Sequence, residues 1–311
     1  MNKQKLIDWL LEGDIAIQYQ VHRDLLSDER DILRYRISEE GWGLQFLSKQ
    51  NSDGHWGKKF YQPKWISTHY TLLDLRNLCI HPINTKISKT INMILSNEKG
   101  NDGGILPIGA YQICDVCVNG MFLNYASYFK SDIEKLESII DFILSQRLAD
   151  GGFNCEYNSR KGVVHSSVHS TISVLEGITE FEKNGYDYRL EELLEAKQSS
   201  IEFILHHQLF RSHRTGATIN SSFLKLPYPS RWYYDNLRAL DYLQYSNTEH
   251  DERMQPAIDI LLQKRNKDNT WKLNAKYPGK VHFDMEMAGK PSRGNTLRAL
   301  RVLKHFSIES F

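Results

Sequence analysis

Leu47-Ser48-Lys49-Gln50-Asn51-Ser52-Asp53-Gly54-His55-Trp56 sets the reading of the whole chain, because the phrase returns. It recurs as Leu144-Ser145-Gln146-Arg147-Leu148-Ala149-Asp150-Gly151-Gly152-Phe153 and as Leu262-Gln263-Lys264-Arg265-Asn266-Lys267-Asp268-Asn269-Thr270-Trp271. A fainter copy ends Asn101-Asp102-Gly103-Gly104-Ile105. Each close copy is the end of an amphipathic helix, a polar step, an Asp followed by Gly or Asn, and an aromatic two residues beyond. The Asp positions are 53, 102, 150 and 268, spaced by 49, 48 and 118, the last being two steps of 59. A regular internal period marks one supersecondary unit copied several times, so the fold is an array.

A second element recurs between the phrases. Helical patterns begin at Ser67-Thr68-His69, Cys114-Asp115-Val116-Cys117, His165-Ser166-Ser167-Val168-His169, Ser230-Arg231-Trp232 and Pro291-Ser292-Arg293. Two of them share Leu-Arg-Ala-Leu, at 237–240 and 297–300. The unit is helix, turn, helix, with apolar residues three and four apart. Gly after the Asp suits a left-handed helix C-cap, and the aromatic is expected to plug the seam between units.

The Gln50–Trp56 phrase resembles the "QW" repeat of squalene and oxidosqualene cyclases, a repeat family that includes the β subunits of protein prenyltransferases. The resemblance spans roughly residues 41–306. It implies an all-α fold, an α/α toroid in which outer helices surround inner ones, with a central cavity at the inner-helix N-terminal rim. The expected inner helices are 66–79, 114–130, 166–183, 231–245 and 293–306. The expected outer helices are 29–49, 85–97, 132–147, 189–208 and 252–265, after a helical pair over 3–26 split near Gly13-Asp14. Strand should be negligible. Two aperiodic loops, 209–230 and 272–292, are long enough to suggest function. One domain, 1–311, is expected.

Composition fits an enzyme-sized helical domain: 311 residues, 41% hydrophobic, 25% charged. A net charge of +1 offers no electrostatic case for nucleic acid. Mean hydropathy is −0.50, and no apolar run approaches the ~20 residues of a membrane span. The opening residues, with Leu6, Trp9, Leu10 and Leu11, read as an amphipathic helix and not as a signal peptide. Four cysteines without secretory context indicate reduced thiols and a cytoplasmic protein. Peripheral membrane contact stays open, as does the need for a partner subunit.

Three constellations carry chemistry. The first is Asp115, Cys117, His165 and His169. The two histidines are four apart and share a helical face, and carboxylate, thiolate and imidazole together suit zinc. The family resemblance implies the same, since prenyltransferase β subunits bind catalytic zinc with Asp-x-Cys and a later His. The same residues also read as a helix cap, a core thiol and rim histidines.

The second constellation is acidic: Asp235, Asp284 and Glu286, with His69 as a further catalytic candidate. Class II cyclases of the family protonate substrate from Asp-x-Asp-Asp, which this chain lacks; Phe283-Asp284-Met285-Glu286 comes nearest. Asp284 pairing with Arg293 is the structural alternative. The third is aromatic: Trp65, Tyr70, Tyr111, Phe122, Tyr125, Trp232, Tyr233, Tyr234 and Phe283. Such rings suit an isoprenoid cation but equally a packed core. Arg231, Trp232, Tyr233 and Arg293 are the expected substrate-binding residues. The functional expectation is an isoprenoid-processing enzyme, cyclase-like or prenyltransferase-like. The alternatives are a non-catalytic binding protein for an apolar small molecule and a carbohydrate-active enzyme of toroid type.

Overall fold

Four turns built to one plan frame the molecule. In each, a backbone N–H donates to a carbonyl four residues on: Asn51 to His55, Gly100 to Gly104, Leu148 to Gly152, Asn266 to Thr270. The residue after the Asp closes the turn onto the first residue and takes the left-handed conformation: Gly54 at φ +87, Gly103 at +89, Gly151 at +95 and Asn269 at +67. Only Gly, and at some cost Asn, sits there comfortably. The phrase therefore recurs because one backbone geometry recurs.

The computed structural model describes residues 2–108, 113–157, 161–274 and 276–308. Its helices are α1 (Lys3–Leu11), α2 (Ile15–Gln20, extended by a π turn over Val21–Leu25), α3 (Asp31–Arg36), α4 (Gly41–Leu47), α5 (Thr68–Asn77), α6 (Thr85–Asn97), α7 (Val116–Tyr128), α8 (Ile133–Ser145), α9 (Val168–Lys183), α10 (Leu190–His206), α11 (Asn236–Tyr245), α12 (Gln255–Gln263) and α13 (Arg293–His305). The strands are β1 (Trp271–Lys272) and β2 (Pro291–Ser292), paired antiparallel. No helix among the described residues is long and apolar enough to cross a membrane.

The expected inner helices are neighbours in order. α5 packs on α7, α7 on α9, α9 on α11 and α11 on α13; α13 returns to α2, and α4 bridges α2 to α5. The arrangement is toroid-like. α7 and α9 come closest because Gly120 faces Gly177, where a Cβ on either would strike the other helix's backbone. On the outside, α8 lies on α7, α10 on α9 and α12 on α11.

Each turn ties an outer helix to the start of an inner one. The N–H two residues past the left-handed position donates to a side chain on the inner helix's first turn: Trp56 to Thr68 at 3.0 Å, Ile105 to Asn119 at 2.7 Å, Phe153 to Thr171 at 3.1 Å, Trp271 to Thr296 at 3.0 Å. Outer-helix hydroxyls of Thr90, Ser138 and Ser199 donate to the carbonyls of Gly54, Gly103 and Gly151. The aromatics fill the seam. Trp56, Phe153 and Trp271 are fully buried, and the indole N–H of each Trp donates to the carbonyl ten residues back, Phe46 or Leu261, at 2.7 Å.

Two expected spans are corrected. The helix over 29–49 breaks in two, because Gly41 turns left-handed (φ +62) so that the Asp14 carboxylate can accept the Trp42 N–H at 2.7 Å. The helix over 231–245 starts only at Asn236, after Asp235 caps it and Arg231 sits at φ +55.

Candidate functional site

The inner helices, with α2 and the loops before α11 and α13, border a cavity of about 150 Å³. Its wall is charged. Asp74 and Arg76 come from α5, Glu176 from α9, Arg238 and Asp241 from α11, Arg298 and Arg301 from α13, Arg23 from the π turn and Arg231 from the loop before α11. Tyr128, Tyr228, Tyr242 and Tyr245 add to the polar lining, with Gln20, Asn77 and Ser230. A buried charge is tolerated only when paired, so the partners decide which of these groups are structural.

Five of these six arginines are closely paired. Arg238 grips Glu176 at 2.6 and 2.8 Å. Arg298 and Arg301 share Asp241 at 3.1 and 2.5 Å. Arg23 and Arg301 share Asp24 at 2.6 and 3.1 Å. Arg76 pairs with Glu180, which also accepts the Tyr245 hydroxyl at 2.9 Å. Burial alone would raise these carboxyls; the arginines outweigh it for Asp241, Glu180 and Asp24, which lie below the ordinary range.

Asp74 and Arg231 differ. Asp74 is 2% exposed, and neither of its oxygens has a hydrogen-bond partner. Arg231 approaches it only to 3.8 Å, leaves its own Nε unpartnered, and lies over the Trp65 ring at 4.8 Å. Burial pushes the Asp74 carboxyl up to about 6, which Arg231 only partly offsets. Acids in one cavity whose environments drive their acidities apart mark a division between structural and reactive groups.

Residues 276–290 of the second aperiodic loop cover the neighbouring rim. The Trp65 indole donates to the Pro278 carbonyl at 2.7 Å, and His282 meets the Thr71 hydroxyl at 3.0 Å. A smaller cavity of about 100 Å³ lies beneath, lined by Phe46, Tyr228, Arg231, Tyr277, His282, Asp284 and Glu286 among others. Burial, reinforced by Arg231, lowers His282 to about 4.

The expected site residues scatter around this centre. Arg231 alone of them lines the main cavity. Trp232 and Tyr233 stack at 4.0 Å, and Tyr233 stacks on Tyr277 at 3.8 Å, beside the cavity. Arg293 faces α1, donating to the Trp9 carbonyl at 2.8 Å. Asp235 is the N-cap of α11, accepting the Arg238 N–H and the Ser230 hydroxyl, each at 2.9 Å. Asp284 is exposed and pairs with Lys276 at 2.8 Å, not with Arg293. Glu286 accepts from the Ser292 hydroxyl and from the Gly294 N–H at 3.1 Å, satisfying the start of α13. His69 is sealed among Phe60, Tyr61, Tyr70 and Tyr125, where burial takes it down to about 3. Tyr111 lies outside the described residues.

Asp115 and Cys117 do meet, but their third neighbour is Cys155. Their donor atoms all lie within 4.8 Å of one another, as a group that could hold a metal ion. Asp115 also caps α7, accepting the Cys117 N–H at 2.9 Å. Cys155 hydrogen-bonds Cys117, which raises Cys117 and lowers Cys155. Neither histidine belongs to the group. His165 is exposed, 3.9 Å from Asp150, and His169 accepts the Tyr234 N–H at 2.9 Å.

Asp74, Glu176 and Asp241 escaped the sequence reading. The available signal was a charge between leucines on a buried helix, as in Leu73-Asp74-Leu75 and in both Leu-Arg-Ala-Leu copies.

No family model matches the chain, and no curated protein matches it. Among solved structures it is similar to a polysaccharide lyase at 14% identity and TM-score 0.54, covering 100% of this chain and 99% of that one. It is also similar to the type II terpene cyclase MstE from Scytonema. A point variant of that cyclase, in complex with its substrate, gives 11% identity and TM-score 0.46 over 96% and 88% of the two chains. The apo form gives 11% and 0.45 over 94% and 88%. The likeness to the lyase concerns the helical frame.

Proposed function

We propose that this chain is a carbohydrate-active enzyme that takes an anionic, hydroxyl-rich ligand into the central cavity, with Asp74 as its acid–base group and Arg231 as its anion anchor. The observation that carries the reading is the buried Asp74 carboxyl with both oxygens unpartnered, facing the one loosely held arginine. An acid near 6 can take or give a proton at neutral pH. A guanidinium can hold a carboxylate by two parallel hydrogen bonds. Tyr228, Tyr242 and Tyr245 add phenol groups to the same wall, which suits sugar hydroxyls. The toroid-like frame shared with a polysaccharide lyase is compatible with this reading; the residues support it.

An isoprenoid ligand is the second reading. It draws on the rim rings, where Trp65 meets Tyr70 at 4.9 Å and Tyr233 at 6.0 Å. The charged lining favours the first. At the Asp115–Cys117–Cys155 group the donors suit zinc, and elemental analysis of chelator-free protein tests for it.

The functional test is a ligand panel of acidic disaccharides, neutral disaccharides and geranylgeranyl diphosphate, with binding read by calorimetry and turnover by product analysis. Acidic sugars should bind, Arg231→Ala should weaken them at least tenfold, and Asp74→Asn should cut turnover by about 10²–10⁴ while binding persists. Binding of the diphosphate alone favours the second reading. Binding of acidic sugars without turnover leaves a binding protein.

A further inference from the structure

Three imidazole rings cluster away from the cavity, at the end of α10 and the loop that follows, two of them in nitrogen-to-nitrogen contact. His206 closes α10 and His207 is its C-cap. The chain then doubles back in a tight hairpin. The Ile219 N–H donates to the Phe210 carbonyl at 2.9 Å, Ser212 to Ala217 at 2.8 Å and Gly216 to Ser212 at 2.7 Å. His213 stands at the start of the hairpin tip and folds onto the last turn of α10. Its ring centroid is 4.9 Å from that of His206 and 5.1 Å from that of His207.

The tautomers are constrained. His207 Nδ1 lies 2.8 Å from the Phe203 carbonyl oxygen, so it must carry the proton and donate. That leaves Nε2 with a free lone pair, and it sits 3.2 Å from His213 Nδ1. An imidazole fixed by donating one N–H to a backbone carbonyl while offering the other nitrogen is the usual support for a metal-bound histidine. Two nitrogens each 2.0–2.1 Å from a tetrahedral ion would be about 3.3 Å apart. The observed separation matches that edge, and the two rings would turn so that both lone pairs point at the ion.

We infer that His207, His213 and His206 form a surface site for a borderline divalent transition metal of the zinc, nickel and copper class. His207 Nε2 and His213 Nδ1 are already placed, and the exposed His206 turns in as third ligand. Neutral imidazoles suit these ions and offer nothing to calcium or magnesium. The ion would replace the proton now shared between His207 and His213, and would pin the 210–219 hairpin to α10. The site is separate from the Asp115–Cys117–Cys155 group, and the ligand chemistry tells the two apart.

The experiment uses the full chain, stripped with chelator and carrying Cys117→Ser to silence the thiol group. Zinc titrated by calorimetry should bind at about one equivalent. His207→Ala and His213→Ala should each weaken it at least tenfold, and His81→Ala, which removes a ring stacked on Tyr35, should not. Cobalt should give d–d bands without the near-ultraviolet charge-transfer band of a thiolate ligand. Unchanged zinc affinity in His207→Ala or His213→Ala overturns the site. Unchanged affinity in His206→Ala alone overturns its role as third ligand. All these positions lie at the surface or at a helix end, and a circular dichroism melt confirms that each variant is folded.

Discussion

The four turns and the central cavity belong to the same helices and obey opposite rules. At the turns every copy makes the same bonds, and the residues doing so are interchangeable: Thr68, Asn119, Thr171 and Thr296 fill one role. In the cavity the contributions vary from helix to helix, an aspartate and an arginine from α5 and again from α11, a glutamate from α9 and two arginines from α13. Repetition builds the wall, and departure from repetition builds the contents. A wall position is recognised by its likeness to its counterparts; of the cavity charges only Arg238 and Arg298 share such a likeness, through the two Leu-Arg-Ala-Leu copies.

The strongest way to break this contrast is at the wall. Trp56→Ala and Trp271→Ala remove equivalent buried rings, so each should cost about 3–5 kcal/mol of unfolding free energy, and the two values should agree within about 1 kcal/mol. Chemical denaturation measures both. A large loss for one and a negligible loss for the other would mean that the copies are alike in geometry but not in energy.

A smaller effect of opposite sign is expected in the cavity. Folded Asp74 keeps its proton up to a pH of about 6, whereas an unfolded aspartate releases it near 3.8. Between these values the folded state binds the extra proton, so stability falls as pH rises through the window. Asp74→Asn cannot ionise and escapes that loss. The variant should match the wild type near pH 4 and exceed it by on the order of 2 kcal/mol at pH 8. A variant less stable than the wild type at pH 8 would show that Asp74 is a structural partner of Arg231. The smallest effect belongs to Asn269, the one turn that lacks glycine at the left-handed position. Asn269→Gly should leave thermal stability within about 0.5 kcal/mol of wild type, since the left-handed geometry favours Gly while the unfolded chain gains freedom.

The same contrast governs what could be read from the sequence. The inner and outer helices and the buried aromatics of the turns followed from the 49- and 48-residue spacings, because periodicity is a property of sequence alone. The split at Gly41 did not, because it depends on Asp14 from a distant helix reaching the Trp42 N–H. The Asp115–Cys117 contact was visible as a helix start, but Cys155 was not, because a loop delivers it. The rim acids Asp235 and Glu286 turn out to satisfy the starts of α11 and α13. Polar residues at helix starts most often answer the unpaired N–H groups there. Asp74 carried the clearer signal, a carboxylate inside the apolar run of α5, where no unpaired backbone group needs it.

The return of α13 to α2 has a consequence for how the chain reaches this state. Arg301 meets Asp24 across 277 residues, and Arg293 meets Trp9 across 284. Successive inner helices from α5 to α13 are joined by connections that each carry one outer helix, far shorter in sequence than the span from α2 to α13. The final pair must wait until the whole chain is present, and it carries the largest loop-closure entropy of any contact in the ring. Until then the structure is an arc with two raw edges, and Asp241 of α11 still lacks the arginines that will hold it. α13 is therefore a latch. It brings Arg298 and Arg301 to Asp241 in the same movement that seals the hoop, so Asp241 is closed in as its partners arrive.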